Sequence, residues 1–156
     1  MPRSQWLRFC SVALVPAFIA GAVAAHSDEG RTEAQKARHH HYEELGDAFK
    51  AVRDNVRGDT PDWAALQKAA QTIADASVDQ QKWFAKGTGP ESGKTRALPE
   101  IWTNTEDFTA AMKLFEERAP ALVTAAQSKD VDAVKKAFKE LGGACKNCHE
   151  KFRAPE

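Results

Sequence analysis

Residues 145–149 read Cys145-Lys146-Asn147-Cys148-His149. The spacing C-x-x-C-H is the signature of c-type haem attachment, in which two thiols bond to the porphyrin and the adjacent histidine binds the iron. On an α-helix, at about 100° of turn per residue, Cys148 lies about 60° to one side of Cys145 and His149 about 40° to the other. All three side chains therefore share one helix face, as a covalently held and axially ligated haem requires.

Two other chemistries use the spacing C-x-x-C. A redox dithiol of the thioredoxin kind is expected in a βαβ context, and the sequence shows no strand pattern. A structural zinc site needs four ligands, and neither a second C-x-x-C nor an H-x₃₋₅-H partner follows residues 145–149. Haem attachment is therefore the favoured interpretation of the motif.

The first 25 residues are predicted to be an export signal. Arg3 and Arg8 form a basic start, and an apolar stretch over residues 9–25 ends in small side chains. An uncleaved membrane anchor is the alternative, but the stretch is short for a span and contains Pro16. We expect cleavage near Ala25, export to the periplasm and no stable membrane insertion.

The remaining residues, 26–156, suit a single domain. The chain has 22 basic and 22 acidic residues, so it lacks the strongly basic character of a nucleic-acid-binding protein. Of its three cysteines, Cys10 falls in the predicted signal and the other two form the haem motif. No disulfide framework is therefore expected.

Four long helices are predicted beyond the signal. The first runs from about Thr32, which begins a capping-box pattern, to Val56. The second has Thr60 as its N-cap with a proline at its first position. The third opens with the capping-box pattern Thr103-Asn104-Thr105-Glu106 and is expected to kink or split at Pro120. The fourth starts near Asp130.

Each predicted helix carries one seam with alternating spacings of three and four residues, the packing pattern of antiparallel four-helix bundles. The fourth seam contains both thiols, so the haem is expected to face the bundle interior. A long connection rich in Gly and Pro, about residues 83–102, is expected to lie against it. The predicted inward positions are Arg38, Tyr42, Leu45, Phe49, Val52 and Val56; Trp63, Leu66, Ala70, Ile73 and Ser77; Phe108, Met112, Phe115, Ala119, Leu122 and Ala126; and Val131, Val134, Phe138, Leu141, Cys145, Cys148 and Phe152.

Further features extend from the haem motif across the chain. They are Gly142-Gly143 before it, Phe152-Arg153 after it, Leu98-Pro99-Glu100-Ile101-Trp102 in the connection, and Arg38, Gly46 and Phe49 in the first helix. With its haem motif near the C-terminus, the chain resembles the class II c-type cytochromes, which include cytochrome c′. The resemblance implies an all-α, antiparallel four-helix bundle with one covalent haem near the C-terminus. It also implies that Cys145 and Cys148 are thioether anchors and His149 the proximal iron ligand.

The distal side of the iron departs from the family pattern. Low-spin members carry a methionine at the position of Tyr42, and cytochromes c′ usually carry an apolar residue there. Tyr42 is either a core aromatic, a gate over the open face of the iron, or a distal ligand. His39 is expected to line the same pocket and is the alternative sixth ligand, whereas His40 is expected at the surface. Met112, on another helix, is expected in the core, so a histidine–methionine pair is not expected.

Two arginines have open roles. Arg38 either pairs with a haem propionate or is a surface charge, and Arg96 in the connection has the same two alternatives. Arg153 lies four residues beyond His149 and so on nearly the same face. The resemblance implies that it sits beside the proximal histidine, and the alternative is a solvated charge at a helix C-terminus.

These features favour a periplasmic electron carrier, because a covalently held cofactor is not lost outside the cell. The alternative is a five-coordinate protein that binds nitric oxide or carbon monoxide, with Tyr42 gating the distal face. No substrate-converting constellation is visible beyond a weak peroxidase-like pairing of His39 with Tyr42, so the chain is not expected to be an enzyme. Expected partners are redox proteins or a diatomic gas, and a homodimer is a further expectation.

Overall fold

Residues 28–155 are described in the computed structural model, and the predicted export signal lies outside them. Within this range the protein is an all-α, antiparallel four-helix bundle, as predicted. A 3₁₀ turn, Gln80–Trp83, follows the second helix. The α-helices are α1 Glu33–Arg57, α2 Trp63–Ser77, the short α3 Glu100–Thr103, α4 Thr105–Ser128 and α5 Val131–Phe152. None of the helices in this range is long and apolar enough to cross a membrane.

The four long helices pack through the predicted seams. Helix α4 packs along both α2 and α5, and α1 packs along α2. Every seam position in the four predicted sets is buried or partly buried. Leu66, Ile73, Leu122, Leu141 and Val134 are fully enclosed at the centre. The alternation of three and four residues therefore predicted the core correctly.

Two of the predicted helix starts are confirmed. Thr32 caps α1 with a reciprocal pair of hydrogen bonds, in which Gln35 N donates to Thr32 Oγ1 and Thr32 N donates to Gln35 Oε1. Asp130 caps α5, its carboxylate accepting from the backbone N–H groups of Asp132 and Ala133. Both caps satisfy donors that a helix start otherwise leaves unpaired.

The other two predicted starts were wrong. Asp62 rather than Thr60 caps α2, because its carboxylate accepts from Ala65 N at 3.0 Å and its own N–H donates to Asn55. Asn104 caps α4, since Thr103 is the last residue of α3.

Of the two outcomes expected at Pro120, a kink or a split, the split does not occur. Helix α4 continues from Thr105 to Ser128 with the proline inside it. Pro120 and Glu116, whose carbonyl loses its helical donor, are both exposed, so water can satisfy that carbonyl. The buried side of α4 is held by its packing along α2 and α5.

The connection between α2 and α3 is fixed at both ends. At one end, Gln35 Nε2 donates to Gly89 O at 2.8 Å, and both terminal nitrogens of Arg38 donate to Thr88. At the other, Leu98 N donates to the carbonyl of Phe152, just beyond the haem motif. The connection therefore forms a wall that runs from the first turns of α1 to the end of α5.

Arg38 is expected to contribute substantially to the free energy of unfolding, because it anchors this wall to α1. Arg38→Met removes the donors to Thr88, Trp83 and Thr95 and leaves buried acceptors unpaired, at about 1–3 kcal/mol for each such group. We expect a loss of at least about 2 kcal/mol in urea unfolding followed by circular dichroism. Arg53→Met, at an exposed position of the same helix, is the control. Equal unfolding midpoints for the two variants would contradict the anchoring role.

Candidate haem site

A cavity of about 600 Å³ lies between α1, α4, the end of α5 and the connection, within the usual range of roughly 300–1,000 Å³ for ligand sites. Its lining combines apolar and aromatic side chains with a few cationic ones. The lining includes Arg31, Arg38, His39, Tyr42, Phe84, Arg96, Met112, Cys145, Cys148, His149 and Arg153.

Helix α5 brings the motif to one wall of this cavity. Cys145, Cys148 and His149 all line it, as their helical spacing predicted. Cys145 packs against the main bundle core, and Cys148 packs against a second cluster that contains Phe108, Met112 and Phe152. The two thiols therefore lie where the two apolar clusters meet.

The electrostatics of the thiols disfavour a redox dithiol. Burial raises the pKa of both Cys145 and Cys148 to about 11, and Cys148 adds to the effect on Cys145. A reactive dithiol requires a pKa lowered towards neutrality, since the thiolate is the nucleophile. Among residues 28–155, no group of three or more His, Cys, Asp or Glu side chains is placed to hold a metal ion, so a zinc site is not supported there either.

The surroundings of His149 favour the neutral form of its imidazole. Its imidazole keeps an exposed edge, and the burial of the remainder lowers its pKa from the ordinary value. The guanidinium groups of Arg153 and Arg96 lower the pKa further by charge repulsion. A neutral imidazole is the state in which histidine ligates a metal. Arg153 is itself exposed, so both roles considered for it, a neighbour of the proximal histidine and a solvated charge at the end of α5, stay predictions.

Tyr42 lies at the same cavity and is fixed by two aromatic neighbours. Its ring meets Trp83 edge-on at a centroid distance of 5.3 Å and lies 6.2 Å from the ring of Phe84. Burial raises the pKa of the phenol well above its ordinary value, and the Cys148 thiol adds to this effect. Burial therefore favours the neutral phenol in the absence of a bound metal.

The three adjacent histidines of α1 point in different directions. His39 lines the cavity, and its Nε2 lies 3.3 Å from Oε1 of Glu43 on the next turn. His41 stacks on Trp83 at a centroid distance of 4.6 Å. His40 is 70% exposed, so its surface placement is confirmed. The three side chains do not converge on one metal, as expected from the helical geometry.

Arg38 has a role that neither sequence interpretation contained. It is 4% exposed, which contradicts the surface alternative, and its guanidinium group lies 4.8 Å over the ring of Phe84. Its terminal nitrogens donate to the connection, although the side chain also lines the cavity. Met112 lies in the core as expected, and it lines the cavity as well.

The sequence interpretation missed Arg31. This side chain lines the cavity, and its Nη1 atom is buried without a hydrogen-bond partner. The residue precedes the first helix, so neither helical periodicity nor a motif points to it. An unpaired buried donor at a cavity wall indicates a place for an anionic group.

A family model described as Cytochrome C′ matches residues 33–153, from the first residue of α1 to the residue after α5. The chain belongs to the cytochrome c′ family. Cytochrome c′ of Allochromatium vinosum is 35% identical over 137 residues, which cover 85% of this chain and 86% of that protein. Membership implies c-type haem as the cofactor.

Solved structures of cytochromes c′ share the fold. The crystal structure from Thermochromatium tepidum is 30% identical with a TM-score of 0.72, covering 79% of this chain and 95% of that one. A nitric oxide complex of a cytochrome c′ variant from Alcaligenes xylosoxidans is 27% identical with a TM-score of 0.70, covering 79% and 94%. The cavity fits the family's cofactor, since two thiols and a neutral imidazole share one wall and a cationic donor lies at its lining.

Proposed function

We propose that this cytochrome c′ holds one covalent haem through Cys145 and Cys148, with His149 on the iron, and reversibly binds nitric oxide or carbon monoxide under the control of Tyr42. The observation that carries the proposal is the position of the Tyr42 ring, which contacts Trp83 and Phe84 at the cavity that the motif lines. Haem, when bound, would supply an iron atom that can bind a diatomic gas.

The side chains around that position determine access to it. A neutral phenol is a poor ligand for ferrous iron, but its ring occupies space that a diatomic gas needs. Its two aromatic contacts restrain the ring, so entry of a gas requires the ring to move. Tyr42 therefore acts as a steric gate, and its hydroxyl is a hydrogen-bond donor for a bound ligand.

Electron transfer is the second candidate, and a separate observation favours it. His149 and its neighbours Lys146 and Lys151 are exposed, so the iron-binding end of α5 lies at the protein surface. Electron exchange with a partner protein requires such proximity to the surface, and the lysines favour an acidic partner. Both functions use the same haem.

The cellular setting follows from the predicted signal. Residues 1–25 have the pattern of a cleaved export sequence, and haem bonded to the chain suits the periplasm. Single-site cleavage near Ala25 and a homodimer both remain predictions.

Titration of the ferrous protein with carbon monoxide tests the proposal. We expect one carbon monoxide per haem, seen as a shift of the Soret absorption band. An unchanged spectrum at saturating gas would remove gas binding and leave electron transfer as the function. The haem content of the same sample, measured beforehand, separates that outcome from a failure to load haem.

A further inference from the structure

Arg31 is a partly buried cation whose Nη1 atom is buried without a hydrogen-bond partner. Its side chain is 15% exposed, and its Nη1 lies 3.7 Å from Asp28 Oδ1, too far for a hydrogen bond. Asp28 itself is 42% exposed, so water competes for its carboxylate. The contact is an ion pair at long distance, and it leaves the buried donor unsatisfied.

The backbone around Arg31 is fixed, so this position at the cavity is a property of the fold. Arg31 N donates to Asp28 O at 3.1 Å, and Lys94 N donates to Gly30 O at 2.6 Å. Gly30 has φ +78°, a left-handed conformation that side-chain-bearing residues rarely adopt. The segment is thereby joined to the connection immediately before α1 begins at Glu33.

Two other arginines of the cavity, Arg38 and Arg96, already donate to backbone or side-chain oxygens. Arg38 donates to Trp83, Thr88 and Thr95. Arg96 donates through Nε and Nη2 to the carbonyl of Ala154. Among the side-chain nitrogen and oxygen atoms of residues 28–155, the buried atom without a hydrogen-bond partner is Arg31 Nη1. The demand for an anionic acceptor therefore falls on Arg31.

We propose that Arg31 binds a haem propionate, an inference that rests on the haem attachment proposed above. The vinyl groups that the two thiols use and the two propionates occupy different edges of the porphyrin. With Cys145 and Cys148 on α5 as the anchors, the carboxylates of a bound haem would be held by cavity residues outside α5. Arg31 stands in such a wall, between Asp28 and the start of α1. Guanidinium–carboxylate contacts are charge-assisted and among the stronger hydrogen bonds in proteins.

This pairing has a consequence for the iron. A guanidinium group beside the propionate keeps the carboxylate ionised and cancels its negative charge. The reduction potential then stays higher, and it varies less with pH, than with an unpaired propionate. The other titratable or charged groups at the cavity are Asp28, Arg38, His39, Tyr42, Arg96, His149 and Arg153. Histidine ionises in the same range of pH, so the effect of His39 must be removed separately.

The test uses Arg31→Gln and Arg31→Lys in the haem-loaded protein, each also made in a His39→Gln background. Arg53→Gln, at an exposed position of α1, is the control. Intact mass first establishes that each variant carries haem, because absence of haem in the wild type would count against the proposed function rather than against Arg31. Circular dichroism then establishes that the bundle is folded.

Reduction potentials are measured between pH 5 and pH 8. We expect Arg31→Gln to lower the potential and to lower the acid dissociation constant of the propionate about tenfold, one pKa unit, with Arg31→Lys restoring most of both. The reduction potential of Arg53→Gln should follow that of the wild type over the whole pH range. An Arg31→Gln profile that superposes on the wild type in both backgrounds would overturn the proposal. An equal decrease in reduction potential in Arg31→Lys and Arg31→Gln, with native helix content in both, would also overturn the proposal.

Discussion

Replacing both Cys145 and Cys148 with alanine is expected to abolish covalent haem attachment. The two thiols line one wall of the cavity and are the only sulfhydryl groups of residues 28–155. Protein produced together with a haem-attachment system is analysed by intact mass. The wild type should carry one haem and lack about the first 25 residues, as the signal pattern predicts.

Cys10→Ala is the matched control for this experiment. Cys10 lies in the predicted export signal, so its replacement should leave both the haem content and the mature mass unchanged. Each single variant, Cys145→Ala or Cys148→Ala, should retain at most one bond to haem. Haem that acid acetone extracts from the wild type would contradict covalent attachment.

Loss of the haem is also expected to weaken the bundle. Side chains of both apolar clusters line the cavity, so without haem they lose a large apolar contact surface. Gly142 and Gly143 lie inside α5, and each costs a helix about 1 kcal/mol relative to alanine. Circular dichroism of the double cysteine variant should show reduced helix and a broad thermal transition. A sharp transition at the temperature of the haem-loaded protein would contradict this expectation.

Replacing Tyr42 with alanine is expected to speed the binding of carbon monoxide to the ferrous protein. Trp83 and Phe84 restrain the Tyr42 ring. Removing the ring would open the space that it would occupy over the iron. An acceleration of at least about tenfold is expected, equivalent to about 1.4 kcal/mol of barrier. Flash photolysis of the carbon monoxide complex measures the rate, and Tyr42→Phe separates the ring from its hydroxyl group.

Two further outcomes decide the role of Tyr42. Tyr42→Phe should bind carbon monoxide at nearly the wild-type rate if the ring is the barrier. Tyr42→Met should give a six-coordinate, low-spin iron with a higher reduction potential, since methionine ligation favours the reduced state. If Tyr42→Ala binds the gas no faster than the wild type, Tyr42 is a core aromatic and does not gate the iron.

The sequence predicted the bundle and the motif wall because both depend on local periodicity. The fourth seam runs through Leu141, Cys145 and Cys148 at helical spacing, and all three lie on the inner side of α5. Thr32 and Asp130 were found as caps because a short polar side chain meets backbone donors two or three residues away. Both features depend on residues that are close together in the sequence.

The errors concern contacts between distant residues. The hydrogen bonds of Arg38 to the connection were not predicted, because its acceptors lie some fifty residues away, at Thr88. Asp62 was missed as a cap because Thr60 and its following proline also have the pattern of a helix start. Arg31 belongs to no periodic element, and only the folded connection brings it to the cavity.

We propose that His149 is the one strong axial ligand of the haem iron and that Tyr42 covers the other face of the haem without binding the iron. Resonance Raman spectra of the ferrous, haem-loaded protein report the coordination number and spin state directly. We predict a five-coordinate, high-spin iron with an iron–histidine stretching band that His149→Ala removes. A six-coordinate, low-spin ferrous iron that loses its sixth ligand in His39→Ala would contradict both the single strong ligand and the covering role of Tyr42.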